Sequence, residues 1–522
     1  MREDQTGRKH IRSIYITAAR ILYRLVGRRD RIDAFMKDRA SPVKIALLAS
    51  TAAGIIMTVM LFIPPYKGVA DDGSLYKVMR RSGLVYIETE PGDIYNNYFI
   101  RQYRLENASP GERKLKSSQD LFIRGAILLD IFFTRDQYFD IRFLAFLYCL
   151  LYLPAVYLTV KYACSRMTCF SESAAAAALA VFIFADISFV SYFNSLYPEA
   201  LWMICSLYCS AAVLGMQDQK NGFLNLVLLG VSGSLLCLSR KQCGVIGFIL
   251  AGFCIAAIFY YRSIRWKAGC MLLSFLLSLT AVIAGCSLEE DFDLTSKYHA
   301  MTRGVLFEAP NPETALKELG INPSYAVLAK TSAYNPYPFA KVESEQLQKG
   351  FYDQYRTRDI VIYYIKHPVR FLRMLDVAVK NTSMLRRSFC GNYEKSAGFP
   401  KMAQGLFWSG WSNFKARFAP GTVGYLLILN AAAFLPGRRR RSCNTIMKKE
   451  KVNPLSAFSV MITFTGLSQA AISIVRSGDA ELDRHAFLLG ASLDLLFFFI
   501  VARWIPGLKI FRLEDKKVVE AK

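Results

Sequence analysis

The feature that most limits what this chain can fold into is a series of long apolar runs that are almost free of charge. The run at 45–63, IALLASTAAGIIMTVMLFI, has nineteen residues, enough to cross roughly 30 Å of hydrocarbon as a helix. Because continuous runs favour helices over β-barrel strands, the sequence predicts an all-α polytopic membrane protein with about ten transmembrane helices. The other runs lie at 143–160, 174–193, 200–215, 222–238, 243–260, 268–285, 421–436, 455–475 and 486–502.

Basic residues indicate the orientation of the spans, because lysine and arginine resist translocation across a membrane. They are concentrated in the arm that ends at Lys44, in 261–267, in 437–451 and in the tail that starts at Arg503. We therefore expect a plasma-membrane protein with both termini in the cytoplasm. This distribution accounts for the net charge of +24 without a nucleic-acid partner.

The apolar runs divide the chain into five parts. Residues 1–43 form a basic cytoplasmic arm, in which 11–26 have the pattern of an amphipathic helix lying on membrane lipids. The following parts are transmembrane helices 1–7 at 44–285 with a first outer loop at 64–142, a small, mainly helical extracytoplasmic domain at 286–420, transmembrane helices 8–10 at 421–503, and a cytoplasmic tail at 504–522.

Within the first outer loop, residues 118–133 are apolar but carry Asp120, Arg124 and Asp130. Three charges make this segment too polar to span a bilayer. The sequence therefore predicts a second amphipathic helix, which lies at the outer membrane interface.

Cysteine and histidine usage does not indicate a metal centre. Most of the 12 cysteines lie in or beside apolar runs, where cysteine acts as a small apolar residue, and there are only 4 histidines. We therefore expect no cofactor and no metal, with a divalent cation as the alternative. Cys286 and Cys390 lie in the same outer segment, and a disulfide between them is a minor alternative.

Two adjacent carboxylates follow the first span closely, at Asp71 and Asp72. One interpretation is structural, with Asp72 as the N-cap of a helix that starts at Gly73. The other is catalytic, with one carboxylate acting as a general base next to the lipid headgroups. Both interpretations stay open at this point.

Other charged residues lie where a membrane protein rarely places them. Asp186 falls inside a predicted span, which marks either a functional site or an internal polar contact. Arg240 and Lys241 lie in a short outer loop, against the positive-inside tendency, and there they could hold a phosphate or contact lipid headgroups.

The last outer loop adds Asp483, Arg484 and His485, for which a solvated loop without a site is the alternative. Carboxylates and cations from four separate loops thus fall on one side of the predicted membrane. This convergence predicts an outward-facing polar site.

The chain resembles membrane glycosyltransferases of the C superfamily, and among them bacterial hexose transferases of glycan biosynthesis. The resemblance covers most of the chain. It is carried by DDGSLYKVMRRSGL (71–84), FADISFVSYFNSLYPEA (184–200), SRKQ (239–242), the segment from 297 to 332, YYIKHP (363–368) and GDAELDRHAF (478–487).

The resemblance implies transfer of a hexose from a polyprenyl-phosphate donor to a glycan or lipid-linked acceptor, with inversion, on the extracytoplasmic side. It implies that the catalytic acid of the first loop falls on Asp71 or Asp72, with Asp72 preferred. The donor site would be lined by Asp186, Tyr192, Asn194, Tyr197, Glu199, Arg240, Lys241, Gln242, Asp483, Arg484 and His485.

Three other functions remain open from the sequence. A flippase or transporter of lipid-linked glycan would carry charges in the middle of the bilayer and internal repeats. A polysaccharide polymerase or ligase would also have many spans and a large outer segment. A non-catalytic scaffold gives no reason for outer carboxylates beside misplaced cations.

Overall fold

The first apolar run folds as one helix, α1 (Pro42–Leu61), in a computed structural model of the chain. The Ser41 hydroxyl caps the helix by accepting a hydrogen bond from the Lys44 N–H at 3.3 Å, and Pro42 occupies its first turn. The structure describes residues 29, 31–36, 40–88, 90–106, 115–216, 221–287, 294–335, 337–338, 341–383, 390–435, 454–480, 482 and 486–507.

The described part of the chain is mostly helical. After α1 the helices are α2 (Tyr76–Ser82), α3 (Pro91–Ile94), α4 (Ser118–Thr134), α5 (Arg142–Cys164), α6 (Phe170–Phe184), α7 (Ile187–Val190), α8 (Glu199–Gly215), α9 (Gly222–Cys237), α10 (Gly244–Ala257), α11 (Ile264–Ser287), α12 (Leu294–His299), α13 (Pro312–Glu318), α14 (Glu345–Gly350), α15 (Thr357–Lys366), α16 (Pro368–Ser383), α17 (Gly410–Phe418), α18 (Val423–Phe434), α19 (Pro454–Ser477) and α20 (Phe487–Trp504).

The lengths of these helices confirm a multi-pass membrane protein. Among the described residues, six helices are long and apolar enough to cross a bilayer, and a seventh crossing is formed if α6 and the segment Ile187–Asn194, bent by 47°, count as one span. The apolar helices α8, α9 and α18 are shorter. The count of about ten spans stays a prediction.

The expectation of a purely helical fold is wrong, because the described residues include five short strands. Strands β1 (Lys67–Val69) and β5 (Cys390–Tyr393) form an antiparallel pair, and β2 (Leu84–Tyr86), β3 (Gln102–Leu105) and β4 (Tyr138–Asp140) form an antiparallel sheet in the order β2-β3-β4. Strands of three or four residues are too short for an alternating pattern to be read from sequence.

The segment predicted as an amphipathic helix, 118–133, is helical as α4, but its charged residues Asp120 and Asp130 are buried, so its exposed side is apolar. A capping box between Ser117 and Asp120 starts the helix, and Ile123 and Ala126 are buried while Leu128 and Phe132 are exposed. Its place at the membrane interface stays a prediction. The amphipathic helix predicted for 11–26 and the tail from 508 lie outside the described residues.

The segment predicted as an extracytoplasmic domain, 286–420, contacts the bundle at both of its ends. Near its start, the Arg303 guanidinium makes two hydrogen bonds to Asp479, of 2.6 and 2.7 Å, beyond the end of α19. Near its end, α17 packs against α6 and α16, and the Lys415 ammonium forms a 2.7 Å ion pair with Asp494 inside α20. These contacts attach the segment to the bundle, and a separate extracytoplasmic domain at 286–420 stays a prediction.

Candidate functional site

The two adjacent carboxylates lie in the loop between β1 and α2. Asp71 is buried, with 3% of its surface exposed. Its Oδ1 accepts hydrogen bonds from the N–H groups of Gly73 at 2.8 Å and Leu75 at 3.3 Å, and its Oδ2 accepts one from the Tyr86 hydroxyl. Gly73 has a φ of +92°, a conformation that glycine adopts without strain.

Asp72 is half-buried and contacts a residue from a distant part of the chain. Its Oδ1 accepts a hydrogen bond from the Tyr197 hydroxyl at 2.8 Å, and its backbone N–H donates to the same hydroxyl oxygen at 2.9 Å. Tyr197 is 125 residues away in sequence, and its hydroxyl also lies 3.4 Å from Asp71 Oδ1. One phenol thus joins both carboxylates.

The expected helix start at Gly73 is wrong. Helix α2 begins at Tyr76, and Leu75 is its N-cap. Asp72 Oδ1 instead accepts from the Ser74 N–H at 3.0 Å. Both carboxylates therefore satisfy N–H groups of the turn that precedes the helix, as aspartate commonly does in turns.

The surroundings of Asp71 favour its protonated form. Burial raises the pKa of the Asp71 carboxyl, and the neighbouring Asp72 adds to that effect, whereas the hydrogen bonds from Tyr86 and Gly73 oppose it. Burial also raises the pKa of Tyr86 and of Tyr103. Both phenols therefore stay protonated, and Tyr86 keeps its role as a donor.

The loop is held in place by β1 and by Asn194. The Asn194 amide donates to the Lys67 carbonyl at 2.9 Å and to the Leu61 carbonyl at 3.2 Å. Gly68 allows this close packing, because a Cβ there would lie 2.5 Å from the Phe99 ring and 2.8 Å from the Asn194 carbonyl oxygen. Asn194 thus supports the carboxylate loop, and its role in lining a binding site stays a prediction.

Glu199 begins α8 and is fully buried. Neither of its carboxylate oxygens has a hydrogen-bond partner among the described residues, and the same is true of the buried Tyr148 hydroxyl, which lies within electrostatic range of Glu199 and Asp120. Native proteins rarely bury polar groups without partners. This pair is thus a place where a polar ligand could bind.

Aromatic rings connect the carboxylate loop to the predicted cations. Tyr192 contacts Tyr197 with ring centroids 6.3 Å apart and Phe487 with centroids 5.3 Å apart. Phe487 also contacts Trp202 at 6.3 Å, and the Arg240 guanidinium lies over the Trp202 ring at 5.5 Å. The structure therefore brings Arg240 to the same end of the bundle as Asp72, which we call the Asp71 end.

Lys241 and Gln242 follow Arg240 in a single 3-10 turn, Lys241–Cys243. Lys241 is half-buried and Gln242 is buried. The Gln242 carbonyl accepts a hydrogen bond from the Gln469 side chain at 3.2 Å. The turn is therefore fixed to α19.

Asp186 has a structural role. It lies at the bend between α6 and α7, where its Oδ1 accepts from the Ser188 N–H at 2.9 Å and its Oδ2 from the Ser412 N–H at 3.0 Å. It thus caps α7 and the first turn of α17 together. These contacts are compatible with the structural interpretation of Asp186, and its role in donor binding stays a prediction.

Some predicted site residues cannot be placed, and one predicted bond is absent. Asp483, Arg484 and His485 lie outside the described residues. Cys286 is exposed and Cys390 is buried with its sulfur 3.0 Å from the Ser191 hydroxyl, so the minor alternative of a disulfide between them is not seen in the structure. Within the described ranges, no group of three or more His, Cys, Asp or Glu residues could hold a metal ion.

Sequence reasoning missed two features of the structure. It gave no signal for Tyr86, which meets Asp71 only because β2 folds back beside the loop. It should have found Asp494, because the rule that singled out Asp186 as an acidic residue in a span applies equally there.

The comparison with known families agrees with this architecture. A family model described as the YfdI N-terminal transmembrane domain matches residues 30–521. No curated protein and no solved structure matches the chain. The match covers nearly the whole chain, which therefore belongs to the YfdI N-terminal transmembrane domain family.

Proposed function

We propose that this protein is a membrane glycosyltransferase that moves a hexose from a polyprenyl-phosphate donor to a glycan or lipid-linked acceptor, with inversion, on the extracytoplasmic side of the plasma membrane. The observation that carries the proposal is the meeting of Asp71, Asp72 and Tyr197 at one end of the bundle. The two carboxylates share the Tyr197 hydroxyl and lie close to the end of a span. A carboxylate in this position can remove the proton from an acceptor hydroxyl located at the lipid headgroups.

Asp72 is the general base in this proposal. Asp71 is only 3% exposed and accepts hydrogen bonds from Gly73 and from Tyr86 of β2, whereas Asp72 is half-buried and therefore more accessible to an acceptor from outside the protein. Asp72 takes the proton of the acceptor hydroxyl while that oxygen attacks the anomeric carbon. The bond between this carbon and the phosphate oxygen breaks, and the polyprenyl phosphate leaves with the electron pair.

The departing phosphate needs positive charge, which Arg240, Lys241 and Arg484 provide in this proposal. Arg240 lies over Trp202, whose indole N–H donates to Ser239 at 2.8 Å. Glu199, which is buried, lies three residues before Trp202 on the same helix, α8. The hydroxyls of a sugar would supply the partners that Glu199 and Tyr148 lack among the described residues.

An apolar groove supports a lipid-linked donor. It has a volume of about 670 Å³, lies between α1 and α5, and reaches Phe62 and Ile63, a few residues before Asp71. A polyprenyl chain lying there would place its phosphate near the carboxylate loop. The lining includes Thr51, Gly54, Met57, Phe146, Leu150 and Leu153.

A flippase for lipid-linked glycan is the second candidate. The 47° bend between α6 and the segment Ile187–Asn194 and the ion pair of Lys415 with Asp494 inside α20 favour it. Broken helices and charges within spans are common in transporters. The two functions differ in their product, because a flippase makes no glycosidic bond.

The test is reconstitution in proteoliposomes with radiolabelled polyprenyl-phosphate hexose and candidate acceptors. We expect labelled product with the wild type, at least a 100-fold loss with Asp72→Asn, and a smaller loss with Asp71→Asn. Asp353→Asn, which changes an exposed carboxylate within the segment 286–420, is the matched control. Full transfer by the Asp72→Asn protein would refute the base assignment, and lipid movement without new glycosidic bonds would favour the flippase.

Two further measurements complete the test. Cysteines introduced at positions 72 and 241 should react with an impermeant maleimide from the same face of the membrane, and labelling from opposite faces would end the proposal. Transfer should survive EDTA. A loss that is restored by Mg²⁺ would favour the divalent cation instead.

A further inference from the structure

The short helix α17 has two different faces. Trp411, Ser412 and Lys415 are buried, whereas Phe414 is 46% and Phe418 63% exposed. The segment just before it has the same character, with exposed side chains at Leu406, Phe407 and Trp408. Together, Leu406, Phe407, Phe414 and Phe418 form a surface that we call the 406–418 apolar surface.

The buried face of α17 meets the interior of a membrane span. Lys415 pairs with Asp494 at 2.7 Å, and the side chains of the two residues are 4% and 2% exposed. Asp494 lies seven residues after Phe487, the start of α20, which is roughly 10 Å along the helix axis. The ammonium group therefore sits well below the Asp71 end of that span.

Two polar groups of α17 have hydrogen-bond partners within the protein. Asp186 accepts from the Ser412 N–H in the first turn, and the Asn413 amide donates to the Ser409 hydroxyl at 3.1 Å. The Arg417 guanidinium lies in the last turn, 5.8 Å from the Phe418 ring centroid, where its length lets it reach the headgroups. A segment that pairs polar groups internally and exposes large apolar side chains is suited to lipid.

The apolar surface is continuous with faces that border the membrane-spanning helices. The Phe182 ring of α6 is 38% exposed and contacts Trp411, with centroids 6.1 Å apart. After α17 the chain enters α18, on which Leu427 and Ile428 are 63% and 67% exposed. If the edge of the membrane lay between these neighbouring faces, the large apolar side chains on the outer side of that edge would be exposed to water.

We propose that the 406–418 apolar surface is inserted among the acyl chains of the bilayer. Residues 406–418 are then a membrane-embedded element that enters from the Asp71 end and is fixed by Lys415 and Asp494. The outer segment that the sequence places at 286–420 therefore ends before residue 406. This inference is independent of the proposed function.

The experiment is photo-crosslinking of the full chain in nanodiscs of phosphatidylethanolamine and phosphatidylglycerol. Benzoylphenylalanine replaces Phe414 or Phe418, one at a time, and mass spectrometry identifies the adducts after irradiation. Leu272 of α11, which is 61% exposed, is the lipid-facing control. Lys349 of α14, whose side chain is 73% exposed and pairs with Glu345 on the same helix, is the water-facing control.

We expect lipid adducts at 414 and 418 with a yield at least half of that at 272, and a yield at 349 at least ten-fold lower. Both aromatic replacements lie on the exposed side of α17, so the protein should keep its elution profile, and either position alone answers the question. Yields at 414 and 418 as low as at 349 would overturn the inference. Adducts with a protein chain instead of lipid would also overturn it.

Discussion

The ion pair of Lys415 and Asp494 allows a sharp test of how α17 is held. Both side chains are at least 96% buried, and the Nζ–Oδ1 distance is 2.7 Å. Replacing one partner leaves the other charge buried without its counterion, which costs about 3–5 kcal/mol, whereas replacing both with apolar residues of similar size is close to neutral. We expect Lys415→Met to lower the free energy of unfolding by that amount and Lys415→Met with Asp494→Leu to restore most of it.

The assay is reversible unfolding in mixed micelles, with the free energy extrapolated to the absence of denaturant. The matched control is Lys349→Met, which breaks the exposed pair of Lys349 with Glu345, 73% and 80% exposed. That change should cost less than about 1 kcal/mol. Equal losses from Lys415→Met and Lys349→Met, or a double variant as unstable as the sum of its parts, would refute the reasoning.

Three more predictions use other contacts. Gly478→Ala should destabilise the protein by about 1–3 kcal/mol, because φ is +59° and a Cβ would lie 2.4 Å from the Arg303 carbonyl carbon. The control is Gly252→Ala, which should not destabilise the protein in the same unfolding assay, because no atom lies within 4 Å of a Cβ at that position. Burial raises the pKa of Asp71, so its contribution to stability is full below its ordinary pKa and is lost as pH rises through the raised value; unfolding measured against pH should lose this slope in Asp71→Asn. If the protein is a transferase, Tyr197→Phe should lower the rate of labelled transfer by about 10- to 150-fold, the value of a hydrogen bond to a charged group; an unchanged rate would count against a catalytic role for the pair.

The helical membrane architecture was accessible from the sequence because the signal is local. The local sequence of a run such as 45–63 determines its structure, because a segment of that length and polarity must form a helix in lipid whatever its neighbours are. Helix α1 accordingly spans Pro42–Leu61. The adjacent carboxylates Asp71 and Asp72 were likewise visible without a structure, because their spacing from the first span is a property of the chain.

Partners that lie far apart in sequence were not accessible in this way. Strand β1 pairs with β5 more than three hundred residues later. Short segments of this kind carry no pattern that selects one partner among many. The same limit explains why no pattern in the sequence indicates that Asn194 holds β1 or that Asp186 caps two helices.

Composition and apolar periodicity alone thus determined that this chain is a helical, multi-pass membrane protein with acidic residues just beyond its first span. Tertiary structure decided that Tyr197 bridges Asp71 and Asp72, that Arg240 lies over Trp202, and that Lys415 enters the bundle to reach Asp494. The physical reason is that hydrogen bonds and ion pairs act over a few ångströms. Only packing brings residues separated by many tens of positions within that range.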